Sequence, residues 1–403
     1  MICPLAAPHV PSIHVGLPGR VHAPAATATV RGMGEATELS DPAAVEAFAT
    51  RARGASHFGL DSESNSMYVH RERVCLVQLV AGEELALLDP FAFDEPARCL
   101  EPLREMLEDP ELPVILHGGE YDVAVFKREF EISIRGVYDT QQAASYLGWK
   151  QTGLGALVKR VCDVELDKAY ARYDWGTRPI ESGALDYALD DVRYLEALAA
   201  HLKAAVEEAD LEEEVALANG GVEAAAAHSQ SFDPAGFWRI KGMRELDAAS
   251  KARVEALYTW REAAASRADL PSGRLLNDQR LLALARRAPR DARALSKAGV
   301  PGRLRREEGD AIVAALATAG EAPKLPMPKP TPPDPELRRR ENALKKWRRT
   351  EAEARGVDLQ VVLPARALAW LAEDPNRDWN DAPMLGAKRR ERYAEALRRC
   401  LEP

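Results

Sequence analysis

Three short segments of the 403-residue chain carry side chains whose types and spacing could do chemistry. In Phe58-Gly59-Leu60-Asp61-Ser62-Glu63, the alternation of a strand puts Asp61 and Glu63 on one face and Phe58 and Leu60 on the other. Two carboxylates that close repel unless a cation lies between them, so the pair suits a hard divalent metal; a solvated strand exit is the plainer alternative. In His117-Gly118-Gly119-Glu120-Tyr121-Asp122, two glycines let the chain turn sharply from an apolar strand into a helix whose first turn holds Asp122. Compensation of the helix dipole would also explain an Asp there, and His117 reads as a packing residue as readily as a catalytic one. In Tyr187-Ala188-Leu189-Asp190-Asp191, Tyr187 and Asp191 stand four apart on one helix face, with Asp190 competing at a spacing of three.

Taken together the segments are more specific than any one of them. Asp61, Glu63, Asp122 and Asp191 cannot all stay ionised in one cleft without multivalent cations, which suggests two Mg²⁺ or Mn²⁺ ions. Such ions, ~3.5–4 Å apart, activate a water and stabilise the leaving oxygen of a phosphodiester displacement. Tyr187 would orient that water or help to deprotonate it.

The order Asp-x-Glu, Asp, Tyr-x-x-x-Asp resembles the tyrosine branch of the DEDD 3′→5′ exonucleases, most closely the ribonuclease D family. The likeness continues through residues 60–67, 73–79 (RVCLVQL), 138–148 (YDTQQAASYLG), Leu166-Asp167-Lys168, Asp174-Trp175 and Arg178-Pro179. It implies a ribonuclease-H-like sheet, two divalent metals and release of nucleoside monophosphates from RNA 3′ ends. Residue by residue, it makes Asp61, Glu63, Asp122 and Asp191 the metal carboxylates and Tyr187 the residue that orients the water. Asp139-Thr140 fits the same pattern, though a helix cap explains it equally well. Lys168, Trp175 and Arg178 are candidate substrate contacts, since Lys and Arg neutralise phosphate and a Trp face can stack a base; anchoring of a loop is the alternative. Residues 247–319 resemble the helicase-and-RNase-D C-terminal (HRDC) domain, and 336–401 resemble a second, more diverged copy.

The elements needed to position these residues can be read along the chain. Strand signals at 57–62, 74–81 and 85–88 suggest an antiparallel meander. Alternating βα units follow: a helix near 96–107, a strand at 114–117, a helix at 120–130, a short strand near 133–138 and a helix at 140–147. This describes an α/β domain with a mixed sheet flanked by helices. The pattern then turns helical. One helix is expected over 180–198, then two small all-α bundles that each open on a long Trp-bearing helix. The expected organisation is a disordered extension at 1–35, an exonuclease domain at 36–230, a first bundle at 231–320, a proline-rich linker at 321–335 and a second bundle at 336–403.

Charge divides along the same line. Residues 1–230 carry 19 Lys+Arg against 38 Asp+Glu, a net of −19, whereas 231–403 carry 35 against 25, a net of +10. A basic back half is a candidate phosphate-backbone binder, with a solvated helical surface as the alternative. No apolar stretch approaches the ~18–20 residues of a membrane helix, and five scattered cysteines suggest neither a disulfide framework nor a thiolate zinc site. The expectation is therefore a cytoplasmic monomer that trims RNA, such as tRNA precursors or other structured RNA with a free 3′ end. A nuclease acting on single-stranded DNA and a catalytically inactive nucleic-acid scaffold are the alternatives.

Overall fold

The computed structural model describes residues 36–227, 231–328 and 334–402; the expected extension at 1–35 and part of the proline-rich linker lie outside them. The chain opens with β1 (Thr37–Leu39) and α1 (Pro42–Ala52), whose cap is Asp41 accepting from Ala44 N at 2.9 Å. Next come β2 (Phe58–Ser64), β3 (Val74–Ala81) and β4 (Glu84–Leu88), antiparallel neighbours as expected. The helix expected at 96–107 is instead a pair of 3₁₀ turns, Pro96–Arg98 and Glu101–Leu103, ending in the single turn α2 (Arg104–Leu107). Pro102, inside that span, has no N–H to donate and its ring crowds the Arg98 carbonyl, so a continuous helix fails there.

Two βα units complete the sheet: β5 (Val114–Leu116) with α3 (Glu120–Glu129), and β6 (Val137–Asp139) with α4 (Thr140–Tyr146). The spatial order is β1-β4-β3-β2-β5-β6, with β1 parallel to β4 and β2, β5 and β6 mutually parallel. Phe58, Leu60, Val77 and Leu79 point to the face packed with Val45, Phe48 and Phe126 of α1 and α3.

The opposite face is covered by α6 (Ser182–Arg193) and α7 (Leu195–Glu208), with α5 (Leu154–Cys162) packed on α7 and α8 (Glu212–Glu223) running beside β6, α3 and α4. Where one helix was expected over 180–198, the structure breaks at Tyr194. The break lowers Leu195 onto β2 at Gly59, where an added Cβ would meet Val80 Cγ1 at 2.4 Å and Leu195 Cδ1 at 3.3 Å. Only glycine permits that approach.

The back half is helical. Its first bundle holds α9 (Ala248–Ala268), α10 (Ser272–Leu275), α11 (Asp278–Arg287), α12 (Ala292–Lys297) and α13 (Gly302–Ala317) around Phe237, Leu257, Leu281 and Ile312. The second holds α14 (Pro335–Arg355), α15 (Leu359–Val362), α16 (Ala365–Glu373) and α17 (Gly386–Leu401) around Leu344, Leu368 and Leu397. Each opens on a helix of 21 residues followed by one of 4. Arg261 Nη1 reaches the Leu276 carbonyl at 2.8 Å, and Arg348 Nη1 reaches the Leu363 carbonyl at 2.9 Å, the same step from each long helix to the cap of the short one.

Both bundles touch the sheet domain. The first grips the β2–β3 loop: Arg274 Nη1 donates to the Met67 carbonyl at 3.0 Å, and His70 Nε2 lies 2.8 Å from Glu262 Oε1. The second docks on α4 and α8, with Val361 buried among Ala143, Tyr146 and Ala218. There the Glu213 carboxylate accepts from the Ala387 and Lys388 backbone N–H groups, capping α17 from outside its own bundle. Among the described residues no helix is long and apolar enough to cross a membrane.

Candidate active site

β5 runs parallel to the start of β2 and ends as β2 continues into Asp61 and Glu63, and the three chemical segments meet there. Asp61 and Glu63 leave β2 on the α6 side, and Asp191 comes from the last turns of α6. Oxygen atoms of these three carboxylates lie within 4.8 Å of one another. Spacing alone left Asp190 and Asp191 open; the structure places Asp191 in the cluster and pairs Asp190 with Arg193.

Asp122 stands beside this group, buried at 6 % exposure in the first turn of α3. Its Oδ1 accepts from Ser62 Oγ at 2.6 Å. Ser62 was not singled out from sequence: strand alternation turns it away from Asp61 and Glu63, and nothing in that pattern reveals that α3 meets it there. The Gly118-Gly119 turn is held by Asp139, whose carboxylate accepts from Gly118 N at 3.1 Å and Gly119 N at 2.9 Å. The same group caps α4 through Gln141 N at 2.8 Å and Gln142 N at 3.1 Å. The helix-cap reading of Asp139 was therefore half of its work. His117 is fixed through Nδ1 to Thr140 Oγ1 at 2.9 Å and stays outside the acid cluster.

Electrostatics single out the cluster. The carboxyl of Asp61 is held well above the usual carboxylate range, first by burial and then by Asp122, Asp191 and Glu63. Glu63 is pushed up to about 8 by burial and then by Asp191 and Asp122. Asp191 rises to about 7 by burial, then through Asp190 and Asp122. Asp122 rises only to about 6, because burial is opposed by the Ser62 hydrogen bond. The charges acting on Asp61 and Glu63 are all carboxylates. Oxygen donors gathered this way, with no cationic side chain among the described residues acting on Asp61 or Glu63 to balance them, fit a hard divalent ion.

Tyr187, on α6, is half-buried, with its ring 6.4 Å from that of Trp175 and 6.3 Å from that of Tyr170. Burial, followed by Asp191, Glu63 and Asp61, pushes its phenol to about 12, so it keeps its proton at neutral pH.

Two expected substrate contacts are otherwise employed. Trp175 is 4 % exposed and packs with Ala188 and Leu189 under α6, leaving no free face for a base. Arg178 is tied to Asp89 by Nε at 2.7 Å and Nη2 at 2.6 Å, and also donates to the carbonyls of Trp175 and Cys75 at 2.7 Å each. It is a loop anchor. Lys168 is exposed, beside the Asp167 whose charge acts on Tyr187.

Comparison with known proteins places these features. Residues 37–207 match the 3′-5′ exonuclease family and residues 250–316 match the HRDC domain. The chain is 30 % identical to ribonuclease D of Pseudomonas paraeruginosa over 353 residues, covering 86 % of this chain and 92 % of that one. Escherichia coli RNase D, an exoribonuclease involved in structured RNA processing, superimposes with a TM-score of 0.65 at 25 % identity, over 91 % of this chain and 99 % of that one. A Bifidobacterium adolescentis protein shares the fold at 20 % identity and a TM-score of 0.72, over 92 % of this chain and 100 % of that one.

Proposed function

This chain belongs to the ribonuclease D family and is a 3′→5′ exoribonuclease, and from that premise we propose that Asp61, Glu63, Asp122 and Asp191 hold two divalent cations, Mg²⁺ or Mn²⁺, at its catalytic centre. The observation that carries the reading is the meeting of Asp61, Glu63 and Asp191 within 4.8 Å with only carboxylates acting on them. Cations bound there would supply Lewis-acid stabilisation of the charge that builds on a phosphodiester under attack.

The protein's own groups do the rest. The four carboxylates fix the positions of the ions, with Ser62 and the Asp139-bound glycine turn holding Asp122 in place. Tyr187, which keeps its proton, donates a hydrogen bond that aims the attacking water along the scissile bond. Lys168 neutralises a phosphate at the rim. The basic bundles hold the body of a structured RNA, tRNA precursors being the class we favour, while its single-stranded 3′ end reaches the acids and is released one nucleoside monophosphate at a time.

The test is incubation of a 3′-extended tRNA with the protein, with and without Mg²⁺ or Mn²⁺. Stepwise mononucleotide release that EDTA abolishes is the expected result; internal cuts, or trimming indifferent to EDTA, would overturn the reading. A single-stranded DNA of the same sequence, run alongside, is expected to be the poorer substrate.

A further inference from the structure

Gln78 sits in the middle of β3, opposite Asp61 in the antiparallel ladder with β2 and opposite Leu87 of β4. Residues opposed across a ladder project to the same face with Cβ atoms ~4.5–5.5 Å apart. Gln78 therefore shares the face that bears Asp61 and Glu63 and that α6 covers. The remainder of that face is apolar, with Leu76, Val80, Leu85 and Leu87 packed against Ala188 and Val192.

In that setting Gln78 is anomalous. It is 0 % exposed, and neither its Nε2 nor its Oε1 has a hydrogen-bond partner. Leaving a buried polar group unsatisfied costs stability, a loss that a methionine of similar volume would avoid. Burial alone thus argues against an amide at this position, and the one strongly polar group directly across the ladder from it is the Asp61 carboxylate.

We propose that Gln78 is a positioning residue for Asp61: its side-chain amide donates to the Asp61 carboxylate and sets the direction in which the free oxygen faces the cation. The chemistry is compatible, because an ionised carboxylate has about four lone-pair sites, enough for one metal bond and one amide hydrogen bond. The amide reaches its partner by rotation of the side chain, since Cβ atoms ~4.5–5.5 Å apart leave an amide nitrogen three bonds out and a carboxylate oxygen two bonds out within hydrogen-bond reach of each other. Groups that orient metal ligands in this way are typically worth ~10–100-fold in metal affinity. The inference rests on the metal-holding role proposed above for Asp61.

Thermal unfolding of the full chain, titrated with MnCl₂, tests it. Three proteins are compared: the parent, Gln78→Met, and Leu87→Met, which perturbs the same face without touching an amide. The parent's Tm is expected to rise saturably with Mn²⁺. Gln78→Met should need ~10–100-fold more Mn²⁺ for half of the rise, whereas Leu87→Met should saturate where the parent does. At saturating Mn²⁺, Gln78→Met should regain the parent's kcat with an unchanged KM for RNA, which a mere packing defect would not do. A Gln78→Met protein that saturates at the parental Mn²⁺ concentration overturns the proposal while leaving the metal site standing. A parent indifferent to Mn²⁺ overturns both. Should Gln78→Met fail to fold, Gln78→Asn, which keeps an amide but withdraws it, is read against the same criterion.

Discussion

Tyr187 and Asp191 share one face of α6, yet their environments ask opposite things of them: the phenol holds its proton, and the carboxylate must lose one to bind a cation. Removing only the hydroxyl with Tyr187→Phe is expected to lower kcat by ~10²-fold or more while leaving the metal-induced rise in Tm intact; loss of that rise would make Tyr187 part of the metal site instead. The acids make a second prediction. With Glu63 near 8 and Asp191 near 7 in the folded protein, against ordinary carboxylate values in the unfolded chain, the folded state binds more protons between about pH 4 and 8. Metal-free protein should therefore lose stability as pH rises across that window, and divalent metal should raise Tm more at pH 8 than at pH 6. Asp61→Asn, by relieving the repulsion, should raise the metal-free Tm at pH 8 by a few °C, or ~1–2 kcal/mol, while abolishing the response to metal. The Asp61–Glu63 pair was legible from strand alternation, whereas spacing left Asp190 and Asp191 open and the assignment of Asp122 leaned on the family resemblance. Ser62 was not legible, because its partner arrives from a different element, and the buried ends of Trp175 and Arg178 depend on packing that no local pattern encodes.

At the scale of elements, the site depends on a turn. Gly119 has no room for a side chain: a Cβ there would sit 2.5 Å from Leu116 Cδ1. Gly119→Ala should therefore cost ~1–3 kcal/mol and displace Asp122, so that denaturant midpoint and kcat fall together. Asp139→Ala removes the acceptor shared by Gly118 N, Gly119 N and the first turn of α4. Equilibrium unfolding should register a loss of ~2–4 kcal/mol; a loss below ~1 kcal/mol would mean that other groups take over those bonds. Long elements with strong periodicity were readable: the expected long Trp-bearing helix opens each bundle, carrying Trp260 in α9 and Trp347 in α14. The three-residue β1 was not, since it is too short to show a period and owes its existence to the edge of β4. The break at Tyr194 escaped for a related reason: the apolar stripe of α6 continues into α7 unchanged, and what divides them is the close approach of Leu195 to Gly59 across the chain.

Across the whole molecule, the acidic and basic halves meet through polar contacts and through the apolar seat of Val361 among Ala143, Tyr146 and Ala218. If the basic bundles hold RNA by its phosphates, KM should climb steeply with salt, about 0.7–0.9 log units per log unit of salt for each phosphate engaged. A flat response would remove the bundles from substrate binding. The charge asymmetry that motivates this was visible in the sequence; which face of each bundle meets the sheet domain was not, because docking depends on single residues such as Val361, Glu213 and Gln360 that no period marks. The grip of the first bundle on the β2–β3 loop has a thermodynamic corollary. That loop begins two residues after Glu63, and its far side is fastened to α9 and α10 through Glu262, Asp269 and Arg274. A nucleic acid that steadied those two helices would also steady the segment that follows Glu63, one of the carboxylates proposed above to bind an ion. Linkage then obliges the reverse: whatever factor RNA adds to cation affinity, the cation must return to RNA affinity in equal measure.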